Sequence, residues 1–166
     1  MKVLNFGSLN LDYVYQVDHI IIPGETQATK SRNTFCGGKG LNQSIALAKA
    51  GIPVYHAGQI GEEGDILLET CKANGVNTEF IKKVPGPSGH TVIQVDKNGQ
   101  NSILLFGGSN RSITREFVDE VFENFFHDLE NDGIYMRCLS EEYGCGYVAM
   151  NIFRDNHWEE EQSFNL

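Results

Sequence analysis

"CGGKGLNQSIALAKAG", from Cys36 to Gly51, is the stretch that decides how this chain folds. Gly37, Gly38 and Gly40 around Lys39 leave the backbone almost bare, and the residues after them are rich in alanine and leucine. Leu41, Ile45 and Ala48 recur at helical spacing, and Gly51 followed by Pro53 stops the helix. The stretch therefore predicts a tight glycine turn feeding a helix over 41–50. Upstream, the short apolar run 3–6 ends at Gly7-Ser8 and predicts a buried first strand. Downstream, 54–60 predicts a strand. A second helix over 65–73 is expected to turn Ile66, Leu67 and Cys71 inward and to stop at Gly75, and 79–84 predicts a further strand. Strand, helix, strand, helix, strand implies a parallel α/β sheet.

Other segments break that alternation. Tyr13, Tyr15 and Val17 alternate with polar or smaller residues, so 13–17 predicts a half-exposed strand, and 30–35 predicts another. Segments 91–95 and 102–106 flank Asn98-Gly99, a strong hairpin signal because both residues tolerate positive φ. This hairpin reads as a flap beside the sheet. Thr114 is the expected cap of a helix over 115–126, with Phe117, Val118, Val121, Phe122 and Phe125 inward. After residue 126 neither alternation nor a helical stripe is evident, and the expectation is a weakly ordered tail.

With 166 residues and 40% hydrophobic content, the chain predicts a single packed domain. No run approaches the roughly 20 apolar residues of a membrane span, and no signal-peptide core follows Lys2, so a soluble cytoplasmic protein is expected, with no membrane partner. The net charge of −9 argues against nucleic-acid binding. That charge is uneven. Residues 1–126 hold 11 Lys+Arg and 13 Asp+Glu, whereas 127–166 hold 2 and 9, and all four prolines precede the second part. The shift suggests a boundary near residue 126. Cys36, Cys71, Cys138 and Cys145 form no C-x-x-C pair and read as reduced, unpaired thiols with no metal site.

Three features carry chemistry. Asn10 and Asp12 follow the first strand, Gly37-Gly38-Lys39-Gly40 with Asn42 opens a helix, and the 91–106 flap lies nearby. Loops at one end of a parallel sheet form its natural ligand crevice. A carboxylate there accepts from two hydroxyls, an amide gives and takes one bond each, and glycines let N–H groups approach a ligand. Such a set suits a polyol. A Walker A loop would need glycine where Asn33 stands and Ser or Thr where Gly40 stands, and a dinucleotide fingerprint fails at Gln43. Taken alone, the glycines serve equally as a tight turn, Lys39 as a solvated helix-entry residue and Asp12 as a turn residue. Glu62, Glu63 and Asp65 read as a helix N-terminal charge set before a metal site.

In order and spacing, "GSLNLD" (7–12), "PGET" (23–26), "CGGKGLNQSIALAKAG" (36–51), "IGEEGD" (60–65), "NGVNTEFI" and the 91–108 hairpin followed by "SN" resemble the ribokinase-like, pfkB-type carbohydrate kinases over roughly residues 1–126. The resemblance implies the N-terminal half of a Rossmann-like three-layer α/β sandwich with a small β-sheet lid built from 13–17, 30–35, 91–95 and 102–106. It implies that Asn10 and Asp12 hold sugar hydroxyls, that Gly37, Gly38, Lys39 and Asn42 complete the site, and that Thr91 and Ile93 face the sugar. A pentose such as ribose is the implied partner, and the lid is an implied homodimer contact.

By the same resemblance, ATP and Mg2+ serve the intact family, and the base that deprotonates the attacking hydroxyl sits in a G-A-G-D segment. No such segment occurs in this sequence; the only Gly-x-Gly after residue 108 is Gly144 to Gly146. The expectation is therefore a sugar-binding half with no catalytic residue, no cofactor of its own and no turnover alone. Glu130 and Glu141 are the weak candidates for a further family glutamate. Residues 127–166 are expected to be a divergent acidic tail, truncated or shifted in reading frame. A sheet cut midway would leave a strand edge open and the chain association-prone.

Overall fold

The computed structural model describes residues 2–127 and, beyond them, the backbone of 133–138, 147–154, 157–158 and 162–165, with side chains described to Phe125. Glu130, Glu141 and Gly144 to Gly146, singled out above, lie outside the described residues.

The core is a sheet whose centre is β1 (Lys2–Phe6), flanked by β4 (Val54–Ile60) and β8 (Gly133–Cys138), both parallel to it. A third parallel strand, β5 (Ile81–Lys83), extends the β4 side. On the β8 side, β9 (Tyr147–Arg154) is antiparallel and pairs with the short β10 (His157–Trp158) and β11 (Gln162–Asn165). Three helices complete the layers: α1 (Lys39–Lys49), α2 (Asp65–Ala73) and α3 (Arg115–His127).

Side-chain alternation assigns the helices to opposite faces. Val3, Val54 and Ile60 pack with Leu41 of α1 and with Leu67 and Cys71 of α2, whereas Leu4, Phe6 and Ala57 pack with Phe117, Val121 and Phe125 of α3. A strand covered on both faces must be apolar on both, which explains the run of β1. Phe6 stacks on Phe122 at 5.9 Å and meets Phe117 edge-on at 6.1 Å. Thr114 caps α3 as expected, its Oγ1 accepting the Phe117 N–H at 3.3 Å.

A second sheet stands beside the first, in the order β3 (Ser31–Gly37), β2 (Asn10–Gln16), β6 (Gly89–Val95), β7 (Asn101–Phe106). β2 pairs antiparallel with β3 and parallel with β6, and β6 with β7 makes the expected hairpin. The mixed α/β fold with a small β-lid is therefore as expected.

Three readings need correction, and the hairpin loop takes a definite form. Ile66 is 50% exposed, because a nine-residue helix buries only its Leu67–Cys71 stripe, with Leu68 partly covered. The hairpin connection, expected over 96–101, is the loop 96–100. There Asp96 Oδ1 accepts the N–H groups of Asn98 and Gln100, and Gly99 takes φ +79°. Residues 133–138 are a strand, although the sequence there shows no long apolar run. Pairing to the open edge of β1 supplies what a short strand needs, and Ile134, Tyr135 and Met136 suffice as its centre. For the same reason the outer edge of β1 is not left bare.

Candidate functional site

The core sheet and the lid are joined by short links that meet at one place. Gly7 to Leu9 join β1 to β2, Gly38 joins β3 to α1, and the 3-10 turn Gly108–Arg111 follows β7. The Leu41 N–H donates to Ser8 O at 3.1 Å, tying the first turn of α1 to the β1–β2 link. Gly38 is the N-cap of α1 with φ +99°, a conformation that other residues adopt only under strain, and a Cβ there would lie 2.5 Å from Ser8 O. The glycine pair thus has a local reason: chain direction must reverse against the Ser8 backbone.

Asn110 organises the other side. Its Oδ1 accepts the Leu9 N–H at 3.0 Å, and its Nδ2 donates to Leu9 O at 3.3 Å and to Asn10 Oδ1 at 2.7 Å. Because a backbone N–H can only donate, the orientation of the Asn110 amide is fixed by Leu9. It follows that Asn10 presents its oxygen to Asn110 and keeps Nδ2 as the end without a protein partner among the described residues. One lone pair of Asn10 Oδ1 is thus taken by Asn110, and Nδ2 is the end of the amide left to donate.

Asp12 supplies the acceptor. Asn10 and Asp12 are two apart on β2 and share one face of the lid. Thr91, opposite Asp12 on β6, donates its hydroxyl to Asp12 Oδ1 at 2.6 Å. The second carboxylate oxygen lies over Gly37, where a Cβ would overlap it. Gly37 is thus the residue that admits the Asp12 side chain. Ile93 is half-buried, two residues along β6 from Thr91, and pairs in register with Val14 and Ile103. Lys39 and Asn42, in the first turn of α1, are exposed, and no ion pair engages Lys39 among the described residues.

Asn10, Asp12, Gly37 and Thr91 are thereby brought into contact through the lid, while Lys39 and Asn42 stand at the adjoining helix entrance. Glu63 accepts the Ser88 N–H at 3.1 Å, and Asp65 pairs with Lys83 at 2.7 Å. Among the described residues no group of three or more His, Cys, Asp or Glu side chains is placed to hold a metal ion. Likewise, no helix among them is long and apolar enough to cross a membrane.

Sequence reasoning missed Asn110, although it belongs to the quoted "SN" pair. It also missed Asn5, Ser44 and His56, all fully buried behind the glycine turn. Asn5 in the middle of an apolar strand is the one visible signal, since a buried amide there demands partners.

Helices on both faces of a mostly parallel sheet, with a four-stranded lid beside it, form the fold of the ribokinase-like proteins. The chain belongs to that group: it is a member of the pfkB family of carbohydrate kinases, which it matches over residues 1–134, past the composition shift and into β8. It is 34% identical to a ribokinase of Dictyostelium discoideum over 154 residues, covering 91% of this chain and 47% of that one. The crystal structure of ribokinase from Cryptococcus neoformans in complex with ADP is similar at 38% identity and TM-score 0.60, over 65% of this chain and 35% of that one. Arabidopsis thaliana ribokinase complexed with ribose and ATP is similar at 34% identity and TM-score 0.58, over 66% and 36%. The chain spans between 23% and 41% of the length of the first curated relatives it matches.

Proposed function

We propose that these 166 residues carry the sugar-holding side of an ATP-dependent carbohydrate kinase, with a pentose such as ribose as ligand and the cytoplasm as the place of work. The carrying observation is the pairing of Asn10 Nδ2, committed to donating by Asn110, with Asp12, whose second oxygen lies over Gly37. A donor and an acceptor side by side match neighbouring hydroxyls, one oxygen receiving a hydrogen bond and the other hydroxyl giving one. Gly38, Lys39 and Asn42 complete the cleft from the helix side, and Thr91 and Ile93 line the lid. Similarity to a ribokinase solved with ribose and ATP supports both ligand classes.

In this reading the chain by itself holds sugar and does not turn it over. The support is that no G-A-G-D segment occurs in the sequence; the division near residue 126 and the acidic remainder as a divergent tail are part of the same reading. Isothermal titration with ribose and a panel of hexoses tests binding, with Asp12→Ala expected to abolish it. An ADP-release assay with ribose tests turnover, and activity above background would overturn the inactive reading.

A second reading, a non-catalytic module that pairs through the lid with a second copy, is favoured by β7. Its Ile103, Leu104, Leu105 and Phe106 are all exposed, as is Phe35 on β3. Sedimentation equilibrium across a hundredfold concentration range distinguishes the two: a strict monomer removes the pairing module.

A further inference from the structure

Behind the glycine turn, on the α1 face of the sheet, lies a buried polar chain with no role in the site as described so far. Asn5 Nδ2 donates to Gly40 O at 2.9 Å and to Ser44 Oγ at 2.8 Å. Ser44 Oγ and His56 Nδ1 are 2.7 Å apart, and His56 Nε2 and Gly7 O are 3.1 Å apart. All three side chains are fully buried, and Asn5 Oδ1 has no partner among the described residues.

The ends of the chain fix its direction. A carbonyl only accepts, so Nε2 of His56 must carry its hydrogen to Gly7 O. A neutral imidazole has one N–H, so Nδ1 accepts, and the Ser44 hydroxyl must donate to it. The Ser44 lone pair is then open to Asn5 Nδ2, whose other hydrogen reaches Gly40 O. Every link agrees with the next. An imidazolium would aim a second donor at Ser44 Oγ, whose two lone pairs could take both, but the Ser44 hydroxyl hydrogen would lose its acceptor in the chain.

A plainly structural cluster would be replaceable by apolar side chains of similar volume, often at little cost. What sets this one apart is where its two ends terminate. Gly7 O belongs to the β1–β2 link and Gly40 O to the first turn of α1, and those two segments bound the cleft. Their backbones also touch directly: a Cβ at Gly40 would come 2.5 Å from Gly7 Cα. The polar chain therefore straddles a glycine-on-glycine contact and holds it from behind.

We propose that Asn5, Ser44 and His56 are positioning residues, a one-way hydrogen-bond chain that fixes the spacing of the Gly7–Ser8 link and the Gly38–Gly40 turn beside Asn10 and Asp12. Its consequence for sugar affinity rests on the polyol reading of that cleft; the clamp itself does not.

The test uses the whole chain with 15N labelling. In the wild type, imidazole nitrogen shifts are expected to show His56 as the Nε2–H tautomer, and an Nδ1–H tautomer overturns the proposal. His56→Phe is expected to accelerate amide exchange at Leu41, whose N–H reaches Ser8 O, at least tenfold, while the Val121 amide in α3 is unchanged. His56→Gln, which restores a donor toward Gly7 O, is expected to recover most of that protection. Equal acceleration at Leu41 and Val121, or none at either, overturns the proposal. Ser44→Ala gives the same local pattern more weakly and decides the matter if His56→Phe does not fold. Ribose titration is the second arm, with about a tenfold loss of affinity expected for His56→Phe. Local acceleration in His56→Phe, together with a wild type that binds no sugar, leaves the clamp standing and removes the polyol reading.

Discussion

Acidification should destabilise this protein through one histidine. His56 is completely buried, and loss of water around its charged form pushes its pKa from 6.5 down to about 4, only partly offset by the hydrogen bond to Gly7 O. The sign follows from which state takes up the proton. Above pH 6.5 neither the folded nor the unfolded chain protonates this group, and it adds no pH dependence. Between 6.5 and about 4 the unfolded chain binds a proton that the folded one refuses, so stability falls as pH falls, and the loss levels off below about 4. At about 1.4 kcal/mol per pH unit, the loss is about 2 kcal/mol by pH 5 and about 3 kcal/mol at its limit. That is a substantial fraction of a typical domain's stability. The groups touching the ring, Ser44 and the Gly7 carbonyl, are uncharged and cannot mask the effect. Urea unfolding followed by far-ultraviolet circular dichroism at pH 7, 6, 5.5 and 5 measures it, with His56→Phe as the reference. The wild type should lose stability steadily across that range while the variant stays nearly level. Parallel pH profiles for the two proteins would refute the reasoning.

Other changes separate the parts of the site. Asn110→Ala leaves the Leu9 N–H and the Asn10 amide oxygen buried without partners, so a loss of about 2–3 kcal/mol is expected in urea titration. Gly37→Ala displaces the Asp12 carboxylate, and calorimetry should show sugar affinity reduced at least tenfold while the fold survives. Thr91→Val removes the 2.6 Å bond to Asp12 at constant shape; affinity should fall several-fold with a change in stability of about 1 kcal/mol or less. Leu104→Glu places a charge on the exposed face of β7, and sedimentation should then show less self-association than for the wild type.

How far the sequence could be read depended on the range of the forces involved. α2 was legible to the residue, because Gly75 and the Leu67–Cys71 stripe are local signals, yet the outward turn of Ile66 depends on packing no local pattern records. Asn10 and Asp12 stood out as polar residues after the first strand, but the second strand was expected to begin at 13, whereas β2 begins at Asn10. The polarity of Asn10 was hidden, since it is imposed by a residue 100 positions away. β8 was invisible for a similar reason: three apolar residues mean little until the edge of β1 is there to pair with them. Asn5, Ser44 and His56 each look like stray polar residues, and only the fold shows that they form one chain.

The amide of Asn110 also sets an order of assembly. β2 can pair with β3 once the connection 17–30 closes, but its other neighbour, β6, arrives more than seventy residues later in the chain, and the shelf under Leu9 and Asn10 later still. Contacts of such long span form late, after the loops between them have been closed at an entropic cost. A chain still short of residue 110 therefore lacks the side chain that holds the Leu9 backbone and the Asn10 amide, so the β1–β2 link is among the last parts of the lid to be fixed.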